Sequence, residues 1–152
     1  FTYWPQLFLG ITFNYGLILG WTSVSNNIDI GPIIFYLGAI FWTLGYDTIY
    51  GFQDIKDDEI IGLKSTSIKF KKKPITFLYI CYSLFLIGLF FSGYLMNLNL
   101  ISFVFFFIAI IHLFYFQLNK LNIKKTISCL KIFKSNNSLG LIIFISLLVG
   151  KL

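Results

Sequence analysis

The sequence has no arginine, one methionine, one histidine, two cysteines and only six acidic residues in 152. Each scarcity excludes something. Charged residues make up 12% of the chain against 57% hydrophobic ones, too few to coat a soluble domain of this size. Cys81 lies in an apolar run and Cys129 in a basic one, with neither metal-ligand spacing nor a disulfide framework. The net charge of +6 comes from lysine alone. Those lysines alternate with apolar runs of bilayer length, which argues against nucleic acid as a partner and for basic loops at a lipid bilayer surface. With Phe1 at its start and Met96 its only methionine, the sequence is expected to be a piece of a longer protein. No signal or transit peptide can be judged from it.

What remains is an all-α, polytopic helical membrane protein with five apolar stretches, expected at about 5–24, 32–50, 75–95, 100–118 and 138–152. The polar turn of Ser25, Asn26, Asn27 and Asp29 closes the first, and Gly31-Pro32 opens the second. Pro74 ends a basic cluster before the third, and Asn97 with Asn99 leaves only a tight turn before the fourth. A lysine-bearing connection over 119–137 is expected to lead to the last, which is short at about 15 residues.

Six lysines, from Lys56 to Lys73, lie between spans two and three; Lys120, Lys124, Lys125, Lys131 and Lys134 lie between spans four and five. The other two connections carry none. With alternating spans both basic connections share one side, the cytoplasm or, in a mitochondrion, the matrix.

On that side lies the polar stretch Tyr46-Asp47-Thr48-Ile49-Tyr50-Gly51-Phe52-Gln53-Asp54-Ile55-Lys56-Asp57-Asp58-Glu59, followed by Gly62-Leu63-Lys64-Ser65-Thr66, with five of the six acidic residues. On one continuous helix, at about 100° per residue, Asp47, Asp54 and Asp58 would fall within about 40° of one another, with Gly51 on the same stripe. Asp54 and Asp58, one turn apart, are placed to clamp magnesium, a hard cation that takes oxygen ligands and shares them with phosphate. Asp47 carries the stripe into an apolar span, where an ionisable group marks function. Gly51 is expected to let a ligand approach the backbone. Lys64 is placed to add a point charge to a diphosphate, though its position equally suits one more positive-inside lysine. His112, in span four, is expected to be hydrogen-bonded to a neighbouring helix rather than to act as a base.

The Tyr46-Asp47-Thr48-Ile49-Tyr50-Gly51 run, the Asp54-x-x-x-Asp58 pair and Gly62-Leu63-Lys64-Ser65-Thr66 together resemble the second aspartate-rich motif of the UbiA-type intramembrane prenyltransferases, most closely those that use 4-hydroxybenzoate in ubiquinone biosynthesis. The opening Phe1-Thr2-Tyr3-Trp4-Pro5-Gln6, with Gly10, Phe13, Asn14, Gly20 and Trp21, resembles the helix before that motif. Phe133-Lys134-Ser135-Asn136 and Gly140 resemble the start of the family's last helix. The likeness covers essentially the whole chain and implies the C-terminal part of a single prenyltransferase domain, about five of nine helices. The family's first aspartate-rich motif has no match here, so these residues alone are expected to be inactive. Residues 121–125 are more basic than the acidic pattern usual at that place.

By that resemblance Asp54 and Asp58 would bind magnesium holding a polyprenyl diphosphate, Asp47 would support the metal or the cation, and Lys64 would contact the diphosphate. An aromatic acceptor would attack the allylic cation, and Asp47 is the better candidate for the base that takes the ring proton. The acceptor is expected to be 4-hydroxybenzoate, with homogentisate or haem as alternatives. A cation or proton carrier would instead spread its carboxylates along a transmembrane path, and a scaffold would leave the shared carboxylate face unexplained. Richness in Lys, Asn, Ile and Phe points to an AT-rich bacterial genome and a bacterial inner membrane.

Overall fold

The computed structural model describes residues 2–151; Phe1 of the opening stretch and Leu152 of the expected last span lie outside them. The described residues form helices joined by turns, with no strand. Five helices are long and apolar enough to cross a membrane: α1 (Pro5–Ser25), α2 (Ile30–Gly51), α5 (Pro74–Leu95), α6 (Leu100–Leu118) and α7 (Thr126–Val149). Between α2 and α5 lie two short helices, α3 (Ile55–Ile60) and α4 (Thr66–Lys69). Proline sits in the first turn of α1 and of α5, where its missing N–H leaves no bond unmade. Asn26 and Asn97 adopt left-handed backbone (φ 56° and 53°) just past α1 and α5, a conformation asparagine tolerates.

Helix α2 is the centre of the group. A Cβ on Gly88 would lie 3.0 Å from the Gly38 Cα, so α2 and α5 meet backbone to backbone, as small residues allow between helices in lipid. Gly45 leaves room for the Tyr82 ring, and Gly10 brings α1 against the Ile40 carbonyl. Polar links add to this close approach. Asn14 Nδ2 donates to Thr43 Oγ1 at 2.8 Å, and the Tyr36 hydroxyl to the Ile11 carbonyl at 2.8 Å. The core buries Ile49, Leu78, Tyr82, Phe85, Leu89, Phe106, Leu113 and Leu139 fully or nearly so. Large apolar side chains such as Phe13, Ile87 and Phe107 stay on the outer surface, as a lipid solvent requires.

The last helix corrects an expectation. It begins at Thr126, not near 138, and the connection shrinks to residues 119–125. Cys129, Ile132, Asn136, Leu139 and Ile143 are buried at spacings of three and four, while Lys131 and Lys134 remain exposed. The helix is amphipathic there, so lysines that lower its average hydropathy do not end it.

The two basic connections meet at one end of the helices. Phe52, Lys56 and Lys71 of the first share a cleft of about 430 Å³ with Ile123 and Lys124 of the second. At the other end Asn99 caps α6, accepting from the Ser102 N–H and donating to the Val149 carbonyl.

Candidate functional site

Helix α2 carries Asp47 on its last turns and stops at Gly51. Phe52 then turns inward, only 3% exposed; its N–H goes to the Ile49 carbonyl and the Gln53 N–H to the Tyr50 carbonyl. That inward turn breaks the helix before Asp54, so the single stripe of Asp47, Asp54 and Asp58 does not form. Asp54 instead stands just before α3, and its carbonyl accepts the Asp58 N–H at 2.9 Å. Asp54 and Asp58 lie one backbone turn apart, and the end of α2 at Gly51 separates Asp47 from them. Among the described residues no three His, Cys, Asp or Glu side chains converge as a metal-holding group. The one ion pair among them joins Lys71 to Glu59, leaving Asp47, Asp54, Asp57 and Asp58 without a cationic partner.

The segment after α3 is folded by its own sequence and then tied down. Gly62 (φ 75°) follows the helix, with the Gly62 N–H on the Glu59 carbonyl and the Leu63 N–H on the Asp58 carbonyl. This paired closure needs the left-handed backbone that glycine takes without strain. Ser65 caps α4 by accepting the Ile68 N–H. The Thr66 N–H, an orphan of that first turn, goes to Gln6 Oε1 of α1 at 3.1 Å. The Thr48 and Thr66 hydroxyls lie 2.6 Å apart, and Ser67 Oγ donates to the Thr48 carbonyl at 2.9 Å. Gly51 therefore admits Ser67, against which a Cβ would collide, rather than a ligand. Lys69 lies over the Trp4 ring at 4.2 Å. Lys64 is exposed, 5.7 Å from the Tyr3 ring centroid, and makes no ion pair among the described residues.

A chamber of about 360 Å³ opens between α1, α2 and α7, lined by Asn14, Trp42, Thr43, Tyr46, Phe133 and Asn136 among others. Trp42, Tyr46 and Tyr50 recur every four residues and share one face of α2. Phe133 of α7 packs on Tyr46 and Tyr50, with ring centroids 5.8 and 4.7 Å away. The aromatic row leads from the chamber to the helix end that precedes the acidic segment.

Sequence reasoning gave no role to three residues that organise this chamber: Tyr82, Gln117 and Asn136. They form a hydrogen-bonded chain that ends on Trp42. The available signal was an amide on each of two membrane-length helices, Gln117 in the last turn of α6 and Asn136 in the first half of α7, a placement unfavourable in lipid unless both its ends are satisfied. His112 stands 3.4 Å from Gln117 on its own helix, not on a neighbouring one as expected. Residues 111–118 are a π-helical turn, in which positions five apart share a face.

The profile of the UbiA prenyltransferase family matches residues 1–148. The chain is 39% identical over 156 residues to 4-hydroxybenzoate polyprenyltransferase, mitochondrial, of Bos taurus, covering 99% of this chain and 41% of the relative. The protein of the same name in Homo sapiens is 36% identical over 156 residues, with 99% and 41% covered. 4-hydroxybenzoate geranyltransferase 2 of Lithospermum erythrorhizon is 38% identical over 157 residues, with 99% and 49% covered. The chain thus spans less than half the length of these relatives. No solved structure matches it. A match over all but the last four residues, on a bundle of five membrane-length helices, leads to one conclusion: the chain belongs to the UbiA prenyltransferase family.

Proposed function

We propose that the protein to which this chain contributes transfers a prenyl group from a polyprenyl diphosphate to an aromatic acceptor, 4-hydroxybenzoate, using magnesium held at Asp54 and Asp58. The observation that supports this reading is that Asp54 and Asp58, one helical turn apart and without an ion-pair partner among the described residues, follow the end of α2, from which an aromatic row leads into a chamber. Two carboxylates one helical turn apart, with no lysine neutralising them, suit an ion that binds through one or two carboxylates and completes its shell with phosphate and water. Magnesium bound there would neutralise the charge of the departing diphosphate.

The chain's own residues do the rest. Asp54 and Asp58 would hold the ion to which the diphosphate binds, and the exposed Lys64 adds a positive charge to the diphosphate. Asp47, half-buried and unpaired beside Tyr46, supplies negative charge near the cation. The aromatic faces of Trp42 and Tyr46 favour a cation and keep water from it. The allylic C–O bond breaks with its electron pair on the diphosphate, a ring carbon of the acceptor bonds to the allylic carbon, and the ring loses its proton.

The named relatives support 4-hydroxybenzoate over homogentisate or haem. Clustering of the carboxylates at one end of the bundle opposes a carrier. In this reading the full-length protein supplies the first aspartate-rich motif, and the basic loops face the cytoplasm or matrix. The compartment is a bacterial inner membrane or, as the names of the animal relatives suggest, a mitochondrial one.

The test is the full-length protein in liposomes with magnesium, a polyprenyl diphosphate and 4-hydroxybenzoate. Prenylated 4-hydroxybenzoate should form and should stop forming when the metal is chelated. Undiminished transfer under chelation, or no transfer at all, would overturn the reading.

A further inference from the structure

Gln117 is fully buried on the π-helical turn of α6, and both ends of its amide are engaged. Its Oε1 accepts the Tyr82 hydroxyl at 2.8 Å, and its Nε2 donates to Asn136 Oδ1 at 3.0 Å. The same Asn136 oxygen accepts the Trp42 indole N–H at 2.8 Å. Asn136 Nδ2 turns back to the Ile132 and Phe133 carbonyls of its own helix. With two bonds accepted and two donated, Asn136 has nothing left to offer a ligand. The chain of bonds runs from α5 through α6 and α7 to α2, and it ends on an indole ring.

Interhelical glue would explain a self-satisfied polar chain in an apolar bundle. It would not explain the orientation given to its last member. The Trp42 ring is stacked on Phe85 (centroids 5.2 Å apart, planes at 22°) and meets Tyr46 edge-on (5.9 Å, 82°). Held by its N–H and flanked by two rings, the indole forms part of the chamber wall in one fixed orientation. Without the tether, only ring packing against Phe85 and Tyr46 would hold that orientation.

We infer that Gln117 and Asn136 are positioning residues that hold Trp42 as a water-excluding wall, and so decide whether an allylic cation formed there is captured by the aromatic acceptor or by water. The inference rests on the prenyl-transfer reading given above. In both outcomes the C–O bond to the diphosphate breaks and the electron pair leaves on the diphosphate. Capture by the acceptor forms a C–C bond and releases a ring proton. Capture by water forms a C–O bond, releases a proton from that water and yields a prenyl alcohol.

The experiment measures product partition in the full-length enzyme, in liposomes with magnesium, polyprenyl diphosphate and 4-hydroxybenzoate. Gln117→Leu and Trp42→Phe should each raise the share of prenyl alcohol several-fold. The double variant should raise it no further than the larger single effect, because both act through one tether. Tyr82→Phe, which removes one hydroxyl and keeps the ring, should shift the share in the same direction by less. In a protein whose other tryptophans are replaced by phenylalanine, Gln117→Leu should move Trp42 emission to the red and raise its quenching by acrylamide. An unchanged product ratio with lower total turnover would reduce the chain of bonds to structural glue and overturn the inference, and so would additive effects in the double variant. A wild-type enzyme that forms neither product overturns the prenyl-transfer reading instead, while the emission measurement still decides whether Gln117 holds Trp42.

Discussion

The side-chain carbonyl of Gln6 accepts the backbone N–H of Thr66 at 3.1 Å, across 60 residues of sequence. This bond joins the start of α1 to the loop after the acidic helix, and it satisfies a buried N–H that α4 cannot satisfy itself. Gln6→Leu in the full-length protein should lower stability by about 1–3 kcal/mol, the range for a buried donor left unmade. Gln6→Glu, which keeps an acceptor, should lose less. Thermal unfolding in detergent compares the two, and equal melting temperatures would show that the bond contributes little.

Gly51 is required by Ser67, not by a ligand. Gly51→Ala should push Ser67 off the Thr48 carbonyl and loosen the 62–69 segment, so proteolysis there should speed up. Combining it with Ser67→Gly should restore most of the protection. Protection that is unaffected by Gly51→Ala would remove the steric argument.

Asp54 and Asp58 should matter far more than their acidic neighbours. Asp54→Asn or Asp58→Asn removes a charge from the proposed metal clamp while keeping shape, and the rate should fall at least about a hundredfold, near 2.7 kcal/mol of transition-state stabilisation. Asp57→Asn and Glu59→Gln should cost much less, since the Glu59–Lys71 pair is partly exposed and such pairs contribute at most about 1 kcal/mol. Asp47→Asn should fall between the two groups, because Asp47 stands apart from the clamp. Initial rates at saturating magnesium decide the order, and equal mild losses at all five positions would mean a solvated acidic surface.

Lys64→Ala should mainly weaken use of the polyprenyl diphosphate, with the apparent affinity for the aromatic acceptor little changed. An unchanged rate at limiting prenyl diphosphate would return Lys64 to a topological role.

Orientation is testable without activity. Cysteine replacements at Lys72 and Lys125 should be shielded from an impermeant reagent applied to the cytoplasmically sealed cell or matrix-sealed mitoplast, and those at Asn27 and Asn97 should be labelled. Equal labelling of positions 27 and 72 would sink the five-span arrangement.

Much of this architecture is local, and local features are legible in sequence. Four of the five spans match the expected stretches closely, because bilayer length is set within each apolar run and Pro5, Pro74, Asn26 and Asn97 each act within a few residues of their own position. The Asp54–Asp58 spacing is equally local, one helical turn, and it survived the break before α3. The start of α7 was missed because Lys131 and Lys134 dominate an average, whereas the burial of Cys129, Ile132 and Asn136 depends on which face meets the other helices. Tertiary structure decided the rest. Phe52 leaves the α2 helix for the core and thereby separates Asp47 from the other carboxylates. Gly51 serves Ser67, Gln6 serves Thr66, and Gln117 with Asn136 serves Trp42. Each of these pairings joins residues from different helices or turns, and no periodicity along the chain encodes it. Each is fixed by the need to satisfy buried polar groups and to fill space where helices meet.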